Sequence, residues 1–163
     1  MNQKRNFRMA RSGDAAQVLS LYHKAKTGAF CVWDDAYPTM TEIRQDLDAK
    51  TLYVLTQEDR VIGAISVVPE NELDELDCWT KKDGKEIARV VIDTDFQGQG
   101  LAFEMVENIQ SVLEKTGQSA IHLAVAEANI PAYRTYQRAG FSKVGEADLF
   151  GHHYTLMEMI LNP

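Results

Sequence analysis

Short apolar runs and amphipathic stretches take turns along the chain, and their periods predict strands alternating with helices. "NFRMA" is a short strand candidate. After it, Ala15, Val18, Leu19 and Tyr22 recur at helical spacing, and Asp14 stands where a side chain can cap the first turn. "GAFCVWDDAYPTM" reads as an aromatic-rich loop, and "TEIRQDLDAK" as a short helix with Ile43 and Leu47 on one side. "TLYVLT" and "VIGAISVV" form a hairpin across the polar turn "QEDR". "ELDELDCWTKKDG" reads as an irregular or strand segment that ends in a turn at Asp83 and Gly84. The β-branched run "EIARVVI" after it is typical of a buried strand. From Ala102 onward, Met105, Val106, Ile109, Val112 and Leu113 mark one face of a helix that Gly117 stops. "AIHLAVA" is the next strand and "NIPAYRTYQRAG" the next helix, with Pro131 acceptable in a first turn and Gly140 suited to a left-handed cap. "FSKVGEA" and "YTLMEMIL" finish the chain as strands. Hairpins at both ends of a mixed order imply an α+β or mixed α/β sheet and not a doubly wound fold.

Composition narrows this further. A chain of 163 residues and 18.3 kDa suggests one domain able to bury a core without staples. Cys31 and Cys78 belong to no C-x-x-C or Cys/His pattern, so reduced thiols in a cytoplasm are expected, with no disulfide. Adjacent His152 and His153 point to opposite strand faces and make a poor metal pair, so no metal is expected. The opening "MNQKRNFRMARSGD" lacks an apolar signal core and "VIGAISVV" is too short to span a bilayer, so a soluble, unprocessed, cytoplasmic protein without a membrane partner is expected. A net charge of -7 and a pI near 5.1 would repel a phosphate backbone, which disfavours nucleic acid. Lys4, Arg5, Arg8 and Arg11 are too few to reverse that and read as a solvated face.

The candidate chemistry lies in "DTDFQGQGLAFEMVENIQ", residues 93–110. A strand that runs into a glycine-rich turn and then a helix gathers backbone N–H groups and the positive end of a helix dipole at one spot. Gly98 and Gly100 would let an anion approach the main chain, and Gln97 could brace the turn. The Lys and Ser/Thr of "GxxxxGK[ST]" are missing, and Phe103 stands where "GxGxxG" needs its third glycine. What remains is a diphosphate ester held by backbone amides, or a turn that uses glycine for geometry alone.

"QGQGLA" fits the Q/R-x-x-G-x-G/A loop of the GNAT superfamily of acetyl-CoA-dependent N-acetyltransferases, and "NIPAYRTYQRAGF" resembles its downstream N-x-x-A-x-x-x-Y-x-x-x-G-F segment. "RMARSGDAAQVLSLY" also looks like the first strand and helix of such proteins, so the resemblance covers most of the chain. It implies a single GNAT-like acyl-CoA N-acyltransferase domain over residues 1–163, a mostly antiparallel mixed sheet flanked by helices. It places the pantetheine of acetyl-CoA against main-chain groups of Val90, Val91 and Ile92, and the diphosphate on the amides of Gly98, Gln99, Gly100, Leu101, Ala102 and Phe103. Asn129 would hydrogen-bond the pantetheine and Ala132 would leave room for it. Tyr136 matches the phenol that protonates the departing thiolate of coenzyme A. A neutral amine would attack the acetyl carbonyl directly in a ternary complex, with amides near Val91 and Ile92 stabilising the oxyanion. Glu86, eleven positions before Gln97, is a candidate base. The glutamate that ribosomal-protein and N-terminal acetyltransferases carry five residues before the Asn is Ala124 here, and Glu127 is expected in solvent at a strand end.

The acceptor would be a small-molecule amine or a protein amine. Trp33 and Tyr37, beside Asp34 and Asp35, would form a lid suited to a cationic amine, or else an aromatic staple. Asp77 and Trp79 could border the same cleft. An acyl-CoA sensor or scaffold without acceptor chemistry is the alternative. Such proteins often pair, and "YTLMEMIL" as an exposed final strand could serve a homodimer.

Overall fold

The structure, a computed structural model, describes residues 4–162; Met1, Asn2, Gln3 and Pro163, including the start of the basic opening, lie outside the described residues. The elements run β1 (Arg5–Met9), α1 (Ala15–Ala25), α2 (Met40–Ala49), β2 (Leu52–Gln57), β3 (Arg60–Val68), β4 (Lys85–Ile92), α3 (Leu101–Lys115), β5 (Ala120–Ala126), α4 (Ile130–Ala139), β6 (Ser142–Leu149) and β7 (His152–Ile160). The strands follow the order β1-β2-β3-β4-β5-β7-β6 in a seven-stranded sheet. β4 meets β5 in parallel, while β1–β2, β2–β3, β5–β7 and β6–β7 are antiparallel, so the sheet is mixed, as expected. The chain divides into two compact units, one running up to Val67 and including Arg89–Met105, the other made of Val68–Ala88 and the chain from Val106 onward.

In the first unit, the β2–β3 hairpin turns on Glu58 and Asp59, both with left-handed backbone (φ 51° and 66°), the conformation that matches the twist of paired strands. α2 opens on a reciprocal cap in which the Thr41 amide donates to Thr39 Oγ1 and the Thr39 amide donates to Glu42. The helical and strand periods bring Val18, Leu21, Tyr22, Ile43, Leu52, Val54, Val61, Ala64 and Val91 into one apolar cluster. Two expectations change here. Asp14 does not cap α1; its buried carboxylate accepts from the Arg11 amide at 2.7 Å and from both terminal nitrogens of Arg8 at 2.7 and 3.0 Å. A carboxylate removed from water takes the strongest donors within reach, so Arg8 is an ion-pair partner and not part of a solvated face. Arg5 likewise pairs with Glu104.

In the second unit, β7 bonds to β5 along one edge and to β6 along the other. The final strand therefore has no open edge to offer a second copy, contrary to expectation, and β6 ends the sheet instead. The reason is chain economy: a two-residue turn at Phe150 and Gly151, both left-handed, folds β7 back between its neighbours. Trp79 is also reassigned. It is 4% exposed, donates from Nε1 to the Leu73 carbonyl at 2.7 Å and stacks on His122 at 3.9 Å, so it fills the core and does not border a cleft.

Burial pushes the Tyr22 phenol up to about 12, with Arg89 opposing and Asp46 adding to the shift. A raised folded value means full stabilisation below the unfolded phenol value near 10, lost as pH climbs from there through the folded value. Stability should fall by roughly 2–3 kcal/mol over that interval. Urea titrations at pH 9 and pH 12 on the wild type and Tyr22→Phe measure it, and Phe, having no proton to lose, should remove that share of the alkaline drop.

Candidate functional site

β4 carries an Arg where a strand tolerates one poorly. Arg89 has φ 52°, a left-handed conformation that costs a side-chain-bearing residue roughly 1–2 kcal/mol. The side chain compensates: Nη2 reaches Asp46 at 2.9 and 3.1 Å, and Nη1 donates to Tyr37 Oη at 2.8 Å. Burial alone would lower the guanidinium, but Tyr37 and Asp46 outweigh it and hold Arg89 above the ordinary arginine value. Past this bend come Val90, Val91 and Ile92, with Val91 rooted in the core and its neighbours half-buried.

Asp93 then ends the strand. Its carboxylate is nearly inaccessible, accepts from the Asp95 amide at 3.0 Å, and is gripped by Arg60 at 2.7 Å and Lys24 at 3.3 Å. Burial would raise Asp93, yet the Asp95 amide, Arg60 and Lys24 together hold it below the usual carboxylate range. Arg60 also lies over the Phe96 ring at 5.2 Å. The corner leaves this anchor through Gln97, Gly98, Gln99 and Gly100, all exposed, with Gly98 at φ 81° and Gly100 at φ 73°. No atom lies within 4 Å of where a Cβ would stand on either glycine. Glycine is thus favoured by backbone conformation, and the space above it is open. α3 starts at Leu101, and the amides of its first turn, Leu101 and Ala102 among them, lack intrahelical acceptors. These features fit a diphosphate cradle. The two Asp side chains nearby, Asp93 and Asp95, are countered by Lys24 and Arg60.

In the second unit, Asn129 caps α4: Oδ1 accepts from the Ala132 amide at 3.3 Å, which leaves the cap bond on the oxygen and not on Nδ2. Pro131 falls in the first turn and Gly140 closes the helix at φ 112°, as expected. Tyr136 is 8% exposed with its ring edge-to-face against Phe141, and burial pushes its phenol well above the ordinary value. Glu86 is half-buried, accepts from Asn71 Nδ2 at 2.7 Å, and lines a cavity of about 340 Å³ with Glu70, Asn71, Asp74, Glu75 and Lys82. Glu127 is exposed at the end of β5. In the first unit, Trp33 packs edge-to-face on Tyr22 at 5.5 Å against the core, whereas Tyr37 is 40% exposed.

Sequence reasoning missed Asp46, Ser66 and Arg89. The signal for Arg89 was a lone cation inside "EIARVVI"; nothing local marked its partners. Among the described residues, no group of three or more His, Cys, Asp and Glu could hold a metal ion, and no helix is long and apolar enough to cross a membrane.

A profile of the acetyltransferase (GNAT) family matches residues 16–141. The chain belongs to that family. Among curated proteins, the spermine/spermidine N(1)-acetyltransferase of Bacillus subtilis (strain 168) is 39% identical over 72 residues, 44% of this chain and 47% of that protein. The chain thus spans about half the length of the curated relative it matches. A GNAT-family acetyltransferase of Streptococcus agalactiae shares the fold, with a TM-score of 0.82 at 18% identity over 99% of this chain and 100% of that one. So does a Salmonella typhimurium protein described as an acetyltransferase and solved with its cofactor acetyl-CoA, at TM-score 0.79 and 18% identity over 98% and 95% of the two chains. The fold expectation therefore holds.

Asp93→Ala should cost about 1–3 kcal/mol, because it strands Arg60, Lys24 and the Asp95 amide without their shared acceptor. Denaturant unfolding at pH 7 measures this. In the wild type the same contribution is present above the unfolded aspartate value and is lost as pH falls through the lower folded one, so the mutant's deficit should shrink in acid.

Proposed function

We propose that this protein is an N-acetyltransferase that moves the acetyl group of acetyl-CoA to a primary amine by direct attack in a ternary complex. The observation that carries the reading is the left-handed Gly98 and Gly100 corner at the head of α3, open above both glycines, in a chain of this family. Amides of residues 98–103 would hold the diphosphate, and main-chain groups of Val90, Val91 and Ile92 the pantetheine. Bound acetyl-CoA would supply an activated carbonyl and a thiolate leaving group.

The chain's own groups have distinct tasks. Amides near Val91 and Ile92 donate to the carbonyl oxygen as negative charge grows there. Tyr136, buried and raised, keeps its proton at neutral pH and can pass it to the departing sulfur. Glu86 takes a proton from the incoming ammonium, with the Asn71 amide fixing one carboxylate oxygen. Asn129 offers Nδ2 to a pantetheine carbonyl, since its cap uses Oδ1. The acceptor we favour is a cationic polyamine: the cavity beside Glu86 carries more carboxylates than ammonium groups, the chain bears -7, and the Bacillus subtilis relative is named for spermine and spermidine. Ala124 speaks against the ribosomal-protein and N-terminal acetyltransferase class.

Calorimetric titration with acetyl-CoA should saturate at one site per chain. Thiol release with spermine or spermidine as acceptor should then drop about 10²-fold or more in Tyr136→Phe while acetyl-CoA affinity stays within a few-fold. Absence of any binding heat would remove the reading, and binding without release across an amine panel would leave an acyl-CoA sensor in its place.

A further inference from the structure

The terminal hairpin of the second unit ends in a charge cluster that the proposed chemistry does not use. His153 of β7 stands opposite Asp148 of β6; its Nδ1 lies 2.7 Å from Asp148 Oδ1, and its Nε2 lies 3.2 Å from Glu146 Oε1 on the same strand. Both ring nitrogens therefore face a carboxylate oxygen. A neutral imidazole has one N–H and one lone pair, so only the imidazolium can donate to both oxygens at once. Bonding to Asp148 and Glu146, with the charge of Glu127 at the end of β5, holds His153 above the ordinary histidine value against a smaller opposing effect of burial. His153 and Lys143, the latter at 3.3 Å, in turn hold Glu146 below the usual carboxylate range. The strand neighbours His152 and Tyr154 alternate to the opposite face, and α4, whose closing Gly140 lies near Met159 of β7, carries Arg134 and Arg138.

The cluster sits on β6, the last strand of the sheet, which has a partner on one side only. It also sits where β5 ends: the His153 carbonyl accepts from the Glu127 amide at 2.9 Å, and two residues on, the Asn129 amide closes a turn onto the Ala126 carbonyl at 2.8 Å. One residue thus holds the edge strand through its side chain and the turn leading to Asn129 through its main chain. We infer that His153 is a proton-operated clasp: as the imidazolium it ties the end of β6 to β7 and steadies the turn that carries Asn129, and as the neutral ring it releases one carboxylate and loosens both. Loss of the proton sets a lone pair against a carboxylate oxygen, so the ring must turn from either Asp148 or Glu146. Glu146 still has Lys143, whereas Asp148 has no second ion pair among the described residues. Because the folded His153 value is raised, the clasp is complete below the unfolded histidine value and is lost as pH climbs through the folded one. His153 and Glu146 are 37% and 47% exposed, so water keeps each contact modest. Any effect on acetyl-CoA rests on the proposed role of Asn129; the clasp itself does not.

The test follows the His153 ring by NMR in the full chain, as wild type, Asp148→Asn, and Asp148→Asn combined with Glu146→Gln. These changes fall on exposed side chains, so folding is preserved. The ring should titrate above a free histidine in the wild type, lower in Asp148→Asn and lower again in the double variant. With pH kept above the carboxylate range, protection of the amides of residues 146–149 and 127–129 against hydrogen exchange should drop about two- to fivefold from below to above that midpoint, the scale of an exposed charge pair. In His153→Gln, whose side chain gains no proton, protection should stay level over the same interval. A midpoint at or below that of free histidine, or equal wild-type protection on both sides of it, would overturn the clasp. A drop confined to residues 146–149 would overturn its hold on the Asn129 turn. Acetyl-CoA affinity should weaken by a similar factor more in the wild type than in His153→Gln, a comparison that cancels the ligand's own ionisation, and equal weakening would overturn the effect on the cofactor. Wild-type protein that binds no acetyl-CoA would sink the acetyl-transfer reading, while the ring titration and exchange still decide the clasp.

Discussion

The glycine corner proposed to hold the diphosphate is anchored by one buried carboxylate. Asp93 sits where β4 must stop and the glycine corner must begin, and it does both jobs by accepting from its own loop at the Asp95 amide and from Arg60 and Lys24, which arrive from β3 and α1. A buried anion left alone would be costly, so the chain is committed to bringing those two cations to this point. Because Lys24 and Arg60 are 41% and 49% exposed, much of their charge remains in water, and the attraction is weaker than a fully buried pair would give. The geometry matters more than the energy. With β4 ended here, the left-handed glycines open upward and α3 starts with its unpaired amides at the same place.

Much of this frame was legible in the sequence because the signals were local. The period of Met105, Val106 and Ile109 marks α3, Asn129 with Pro131 and Gly140 brackets α4, and the short polar turn sets the β2–β3 hairpin. The glycine corner was legible for the same reason, since two left-handed residues and the helix after them lie within a few positions. What was not legible involves partners far apart along the chain. Asp46 looks like a solvent-facing residue of a polar helix, and only the fold brings Ser66 and Arg89 to it. Asp14 has the right type and place for a helix cap, yet Arg8 and the Arg11 amide compete for it and win. The position of β7 between β5 and β6 is a matter of sheet topology, which strand period alone does not carry.

The second unit solves a similar problem with a different pair. His122 and Glu158 meet at 2.9 Å with almost no exposure, on neighbouring strands β5 and β7. Burial would raise Glu158, but the amides of Lys81 and Thr80 and the His122 ring hold it below the usual carboxylate range. Those amides belong to the segment leading to Gly84, where an added Cβ would fall 2.5 Å from His122 Nε2. Gly84 is therefore kept by close packing, not by backbone conformation. The effect is to seat the start of β4, and with it Glu86, on a buried polar contact in place of a loose loop.

These two buried pairs bear on the proposed chemistry through the same physical logic. Taken alone, the Coulomb attraction within either pair is largely consumed by the desolvation of its two members. Apolar packing, however, does not specify direction: a leucine at position 89 could neither hold Tyr37 nor make up for a left-handed backbone. Each pair instead fixes one end of β4, His122 and Glu158 at its start, Arg89 and Asp46 at its bend, leaving Asp93 to close it. A strand proposed to present main-chain groups to a ligand cannot slip in register, since a shift of one residue would turn every donor and acceptor to the wrong side. Directional buried contacts at three points along one strand are what that requirement demands.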